Sequence, residues 1–154
     1  MKRLIGLVLV IVMVFSLSAA LAQRVSCPVG GFSLKLPDHF TEVSYDRGVD
    51  PELCFYWRGN KLTVQAYASY QGEVAGSDLF QVLTGSETEY GPVTVNGMNM
   101  LYARTEDASD ICIMYTWMDR GNNVTIYFSY SADEPSVLKT VNSIMSSISF
   151  DAGH

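Results

Sequence analysis

Apolar residues are continuous at the start of this chain, alternate with polar ones through its middle and recur at helical spacing near its end. Residues 4–22 carry no charge, and Lys2 and Arg3 stand just before them. The run leaves its apolar centre at Phe15 and passes through Ser16-Leu17-Ser18-Ala19 to Ala20-Leu21-Ala22. A positive start, an apolar centre and a small-x-small exit form the layout of a secretory signal, which predicts cleavage between Ala22 and Gln23. An uncleaved anchor is the competing reading, because a bilayer span needs about 20 apolar residues. Cys27 follows Arg24-Val25-Ser26 and lacks the Leu-x-small run of a lipidated cysteine, so no acyl anchor is predicted.

From Phe32 the period is two. Phe32, Leu34 and Leu36 alternate with Ser33 and Lys35 before Pro37-Asp38, the pattern of a strand ended by a turn. A weaker strand is predicted over 41–45. Residues 53–57 and 62–68 predict a hairpin, with Gly59-Asn60 as a primed turn whose glycine takes positive φ. Residues 93–95 and 98–102 flank Asn96-Gly97, the strongest short-range hairpin signal. A third hairpin joins 111–117 to 124–130 through Arg120-Gly121-Asn122-Asn123. Its first strand is apolar on both faces and is therefore expected to be central, whereas Val124, Ile126 and Phe128 alternate with more polar neighbours.

Two segments have helical period. In 77–85, Ser77 caps the start, Gly85 ends the helix, and Leu79, Phe80 and Leu83 share the side expected to lie on the sheet. Near the end, Val137, Leu138, Val141, Ile144, Met145 and Ile148 recur on one face, with Lys139, Asn142, Ser143 and Ser146 opposite. Asp133 is the predicted cap there, and Pro135 is tolerated in a first turn, where its missing N–H has no intrahelical partner. The predicted class is α+β: an antiparallel β-sheet built from successive hairpins and flanked by helices.

Charge narrows the function. The chain has 154 residues, 10 basic and 16 acidic; loss of 1–22 removes Lys2 and Arg3 and no acid, leaving 8 basic residues against 16 acids. Such a domain is a poor match for nucleic-acid phosphates or anionic membrane faces, which require clustered Lys and Arg. Residues 23–154 are long enough for one domain with its own core. The expected organisation is a signal peptide over 1–22 and a single globular domain over 23–154, secreted or extracytoplasmic, with no membrane contact unless the signal stays uncleaved. Cys27, Cys54 and Cys112 would enter a compartment where disulfides persist. Three cysteines cannot all pair within one chain, so one bridge and one buried thiol are expected, with all three pairings open.

The opening Gly31-Phe32-Ser33-Leu34-Lys35-Leu36-Pro37-Asp38, the successive hairpins and the closing helix into Ile144-Met145-Ser146-Ser147-Ile148-Ser149-Phe150 resemble the Mog1/PsbP-like superfamily over almost the whole of 23–154. The resemblance implies an α/β/α sandwich, an antiparallel sheet flanked by helices. It implies no particular activity, since members serve as unrelated binding or assembly factors.

No G-x-S-x-G, H-E-x-x-H or phosphate-cradling glycine loop occurs. His39 and His154 read as surface or turn residues rather than general bases, and neither has ligand spacing to a cysteine. Glu106-Asp107-Ala108-Ser109-Asp110, with Asp46, Asp50 and Glu52, offers oxygens to calcium but lacks the spacing and glycine of a known loop, so a solvated acidic turn is expected. No metal or cofactor is predicted. Asn123-Val124-Thr125 matches a glycosylation sequon at a hairpin edge. Among the strand aromatics, Trp57, Trp117, Tyr56 and Tyr115 are the candidates for a face that grips a ligand; most such residues serve as core or cross-strand pairs. The expected function is therefore a non-enzymatic binding or assembly module for a protein or small ligand. The alternatives are an enzyme with a carboxylate-based site and an envelope component tethered by an uncleaved anchor.

Overall fold

The structure, a computed structural model, describes residues 22–70 and 88–152. Seven strands form one antiparallel sheet: β3 (Thr41–Glu42), β4 (Leu53–Arg58), β5 (Leu62–Tyr70), β6 (Thr88–Val95), β7 (Met98–Glu106), β8 (Asp110–Asp119) and β9 (Asn122–Ser131). Their order is β3-β4-β5-β9-β8-β7-β6. A smaller antiparallel sheet, in the order β1-β2-β10, consists of β1 (Gln23–Cys27), β2 (Phe32–Leu36) and β10 (Ser149–Phe150). One helix among the described residues, α1 (Val137–Ser146), joins β9 to β10.

The core lies between the large sheet and a second layer made of α1 and the small sheet. Alternation along β9 turns Val124, Ile126, Phe128 and Tyr130 to one face, and all four are buried. Neighbouring strands set matching residues beside them: Val64 and Ile113 flank Phe128, Ala66 and Tyr115 flank Ile126, and Ala68 and Trp117 flank Val124. The second layer supplies Phe32, Leu34 and Leu36 from β2 and Val137, Val141, Ile144 and Met145 from α1. Burying a side chain of this size stabilises the fold by about 1.5–3 kcal/mol. The expected strand at 32–36 and the expected helical face are thus both present, and β8 is interior to the sheet.

One helix, rather than several, flanks the sheet within the described residues. The helix expected over 77–85 lies outside them. α1 also starts later than Asp133: Ser136 stands at its N-cap without a side-chain cap bond, and Pro135 precedes the helix. The segment before it is instead closed by backbone bonds from Val137 N–H to Glu134 O (3.0 Å) and from Glu134 N–H to Ser131 O (3.0 Å). Leu138, expected on the buried face, is 37% exposed at the edge of α1. The weak strand over 41–45 is reduced to Thr41–Glu42, after which Val43 N–H still donates to Tyr56 O (2.8 Å).

Two of the three turns form where the glycine signals place them. Asn96-Gly97 (φ 49° and 86°) and Arg120-Gly121 (φ 48° and 83°) are both left-handed at both central residues, the geometry that suits the twist of a two-residue hairpin. In the second, the strands run on to Asp119 and Asn122, so Asn122 and Asn123 belong to β9 rather than to the turn. The remaining hairpin turns one residue later than expected. Gly59 N–H donates to Leu62 O (2.8 Å), leaving Asn60-Lys61 as the loop, and Gly59 does not have positive φ. Its lack of a side chain serves packing instead: a Cβ there would stand 2.8 Å from the buried Phe40 ring.

The two layers are joined covalently at one end. A bulge in β4, between the Leu53–Tyr67 and Phe55–Ala66 pairs, leaves Cys54 over, and Cys54 forms a disulfide with the fully buried Cys27 of β1 (Cα–Cα 5.6 Å). A bulge re-aims a side chain in this way. Cys112 is the free thiol; it is half-buried on the opposite face of the large sheet, its Sγ 2.8 Å from Tyr127 Oη.

Candidate functional site: a tyrosine-floored groove

At the other end the layers do not close fully. Between α1 and the β6–β7 hairpin lies a groove of about 730 Å³, walled by residues 89–93 on one side and by Leu138 and Asn142 on the other, with Tyr102, Arg104 and Tyr115 beneath. Its position follows from one residue. Asn96 tolerates the left-handed conformation of the hairpin turn, and its side-chain Nδ2 donates to the carbonyls of Ser146 (3.1 Å) and Ile148 (2.7 Å) at the carboxyl end of α1. Helix carbonyls at that end lack intrahelical partners, so the bond to Ser146 satisfies a group the helix leaves open, and the bond to Ile148 holds the segment that follows. The clasp ties the hairpin turn to the end of α1, one helical turn beyond the groove residue Asn142.

The floor is a cross-strand pair, Tyr102 of β7 and Tyr115 of β8, with ring centroids 5.4 Å apart and planes at 60°. Tyr115 stands edge-on to Phe128 and is 7% exposed. Burial, with Tyr102 as a second cause, pushes its phenol up to about 12. Tyr102 is also raised, by burial first and then by the Glu89 carboxylate, with Arg104 opposing. Both phenols are neutral donors and acceptors at ordinary pH. Directly across from Tyr102 in the register is Gly91, where an added Cβ would meet nothing within 4 Å. The missing side chain leaves space beside the half-buried Tyr102.

Arg104 and Glu89 face each other across β7 and β6 without forming an ion pair. Arg104 is instead bound to Glu106, and its guanidinium lies against the Tyr130 phenol.

The four aromatic candidates do not form one surface. Trp117 is 4% exposed, packed edge-to-face against Phe32 and Phe150, and its indole N–H has no hydrogen-bond partner among the described residues. Trp57 is half-buried against the core cluster. Tyr56 is on the opposite face of the sheet, its hydroxyl accepting from Arg58 (3.1 Å). Only Tyr115 reaches the groove. Tyr102, Arg104, Gly91 and Asn142 were not among the sequence-based candidates, although Tyr102 belongs to the strand that Asn96-Gly97 predicts.

The acidic stretch is a turn. Asp107 Oδ1 accepts from Ser109 N–H (2.8 Å), Asp110 N–H (2.8 Å) and Ser109 Oγ (3.1 Å), and these bonds lower its pKa. Among the described residues, no three His, Cys, Asp or Glu side chains converge as metal ligands. His39 is exposed beside Asp38.

No model of a known protein family matches the sequence, and no curated protein matches it. Solved structures do. The solution structure of cyanobacterial PsbP (CyanoP) from Synechocystis sp. PCC 6803 superposes with a TM-score of 0.61 at 16% identity, over 86% of this chain and 94% of that one. A protein from Bacteroides thetaiotaomicron gives 0.58 at 12% identity, over 85% of this chain and 49% of that one. The Saccharomyces cerevisiae Ran-binding protein Mog1p gives 0.57 at 10% identity, over 86% and 96%. At these identities the likeness concerns the backbone alone: this chain has the Mog1/PsbP-like fold.

Proposed function

We propose that the chain is an exported, non-enzymatic binding module, with residues 1–22 removed as a signal and residues 23–154 forming one domain whose ligand site is the groove between α1 and the β6–β7 hairpin. The observation that carries this reading is the tyrosine floor beside a glycine: Tyr102 lines the groove directly across the strands from Gly91, and the Asn96 clasp ties the same hairpin to the end of α1. An open concave site with an aromatic floor and a few convergent polar groups is the usual form of a binding site. The Cys27–Cys54 disulfide supports an oxidising, extracytoplasmic location. That Mog1p is a Ran-binding protein supports a protein partner in kind only, since a shared fold does not carry a partner across.

The acidic stretch at 106–110 is accounted for as a turn. The lowered pKa of Asp107 has its cause in the turn that the residue closes.

The test compares two variants in capture from the cell's own envelope and secreted fractions. Gly91→Leu places a side chain in the groove where a Cβ meets nothing within 4 Å, and is expected to abolish saturable capture, whereas Tyr56→Ala, on the other face of the sheet, is expected to preserve it. Loss with Tyr56→Ala and retention with Gly91→Leu would move the site to the opposite face. N-terminal sequencing of the exported protein is expected to begin at Gln23; a blocked or intact N-terminus bearing residues 1–22 would favour a tethered envelope component.

A further inference from the structure

The charges in the groove point to the class of its occupant. Resting on the reading that the groove is the binding site, we propose that it seats a lysine or arginine side chain carried by an extended segment of a partner protein. The groove's own cation is already engaged, since Arg104 is held by Glu106 and lies against the Tyr130 phenol. Glu89 is exposed on the groove wall and forms no ion pair among the described residues. The charge left open to a ligand is therefore negative.

The floor favours the same sign. A cation placed over a tyrosine ring is attracted by the electron-rich face of the ring. Here the half-buried Tyr102 ring lines the groove beside the Gly91 gap, backed by the Tyr115 ring, with the Glu89 carboxylate near enough to act on the Tyr102 phenol. Val93 and Leu138 offer apolar surface to the methylene stem of a long basic side chain.

The length of the wall argues for a peptide segment rather than a free ammonium ion. From Glu89 to Val93 the edge strand extends about 13 Å at ~3.3 Å per residue, the reach of about four extended residues. Pro92 has no N–H, so the open edge of β6 is a poor template for an added strand, and recognition falls to the side chain in the groove. The excess of acids over bases would also speed the approach of a basic segment.

The purified chain can be titrated with two pools of amidated hexapeptides that differ only at the central residue, lysine in one and glutamate in the other. Amide resonances of residues 89–93 and of Leu138 are followed by NMR. The lysine pool is expected to move them saturably and the glutamate pool to leave them in place. Glu89→Gln is expected to weaken lysine-pool binding roughly fivefold, and Gly91→Leu to remove it. Binding of the glutamate pool in preference, or lysine-pool binding unchanged by Glu89→Gln, overturns the cationic assignment and leaves the groove as a site. No movement with either pool also overturns the assignment, and the groove itself is then judged by the capture comparison above.

Discussion

The second layer of this protein is fastened to its large sheet at two ends, and the two fastenings differ in kind. At the β4 end a disulfide joins Cys54 to Cys27, beside a fully buried stretch of β2. At the β6–β7 end Asn96 donates to the carbonyls of Ser146, the last residue of α1, and of Ile148 just beyond it, and a groove lies next to this clasp. A covalent link with packed rings around it makes a closed core. A polar clasp holds two elements in register while leaving space between them, which is what a ligand site needs. The covalent link and the groove are thus at opposite ends of one sheet.

Four measurements test that division, in decreasing order of expected effect. Reducing the disulfide opens a constraint across a sequence separation of 27 residues. It should lower the free energy of unfolding in urea by about 3–4 kcal/mol on the chain-entropy account. An unchanged midpoint would show that the β4 end is held by packing alone.

The second concerns pH. Tyr115 has its folded pKa raised to about 12 from the model-compound value of 10.0, so its neutral form is favoured by folding. The stability it contributes is fully present below pH 10 and is lost as the pH rises through about 12. Discounted for nearby water, the loss is roughly 1–2 kcal/mol. Tyr115→Phe should flatten that part of the stability–pH curve, and an identical curve would mean that the groove floor is wet.

Third, Asn96→Gly keeps the left-handed turn and removes the clasp. It should cost about 1 kcal/mol, with faster amide exchange in residues 146–148. Arg120→Gly supplies the contrast: it has the same turn geometry with no clasp, and should be neutral or slightly stabilising. Equal effects at the two turns would reduce Asn96 to a turn residue. Fourth, Gly91→Leu should change stability by no more than about 0.5 kcal/mol. A large loss would mean that the space opposite Tyr102 is part of the packing.

Much of the closed end could be read from the sequence, and little of the open one. Strand β2 and the apolar face of α1 declare themselves by period, because each turns its apolar residues to one side. The Asn-Gly and Arg-Gly turns are legible because left-handed φ is costly for most residues. The Gly59 turn was misplaced for a related reason: glycine can mark either positive φ or a close approach, and only the Phe40 ring tells which. Strand β1 gives little signal of its own, since Gln23-Arg24-Val25-Ser26-Cys27 is short and adjoins the uncharged run before it. Period two cannot say which side of a strand will be covered, so Trp117 and Tyr56 read alike until the second layer is in place. The groove brings residues 89–104 together with 138–142, and no local pattern connects those segments. The pairing of cysteines was open for the same reason until the β4 bulge turned Cys54 towards β1.

The position of Cys112 bears on how such a chain oxidises. Three thiols allow two wrong bridges for each right one, and a leftover thiolate can attack a finished disulfide. In the folded protein the large sheet stands between them, with Cys27–Cys54 on one face and Cys112 on the other beside the Tyr127 hydroxyl. Exchange between them therefore requires the sheet to open. Folding acts as the proofreading step for disulfide choice, and scrambled isomers should accumulate only under conditions that also melt β8 and β9.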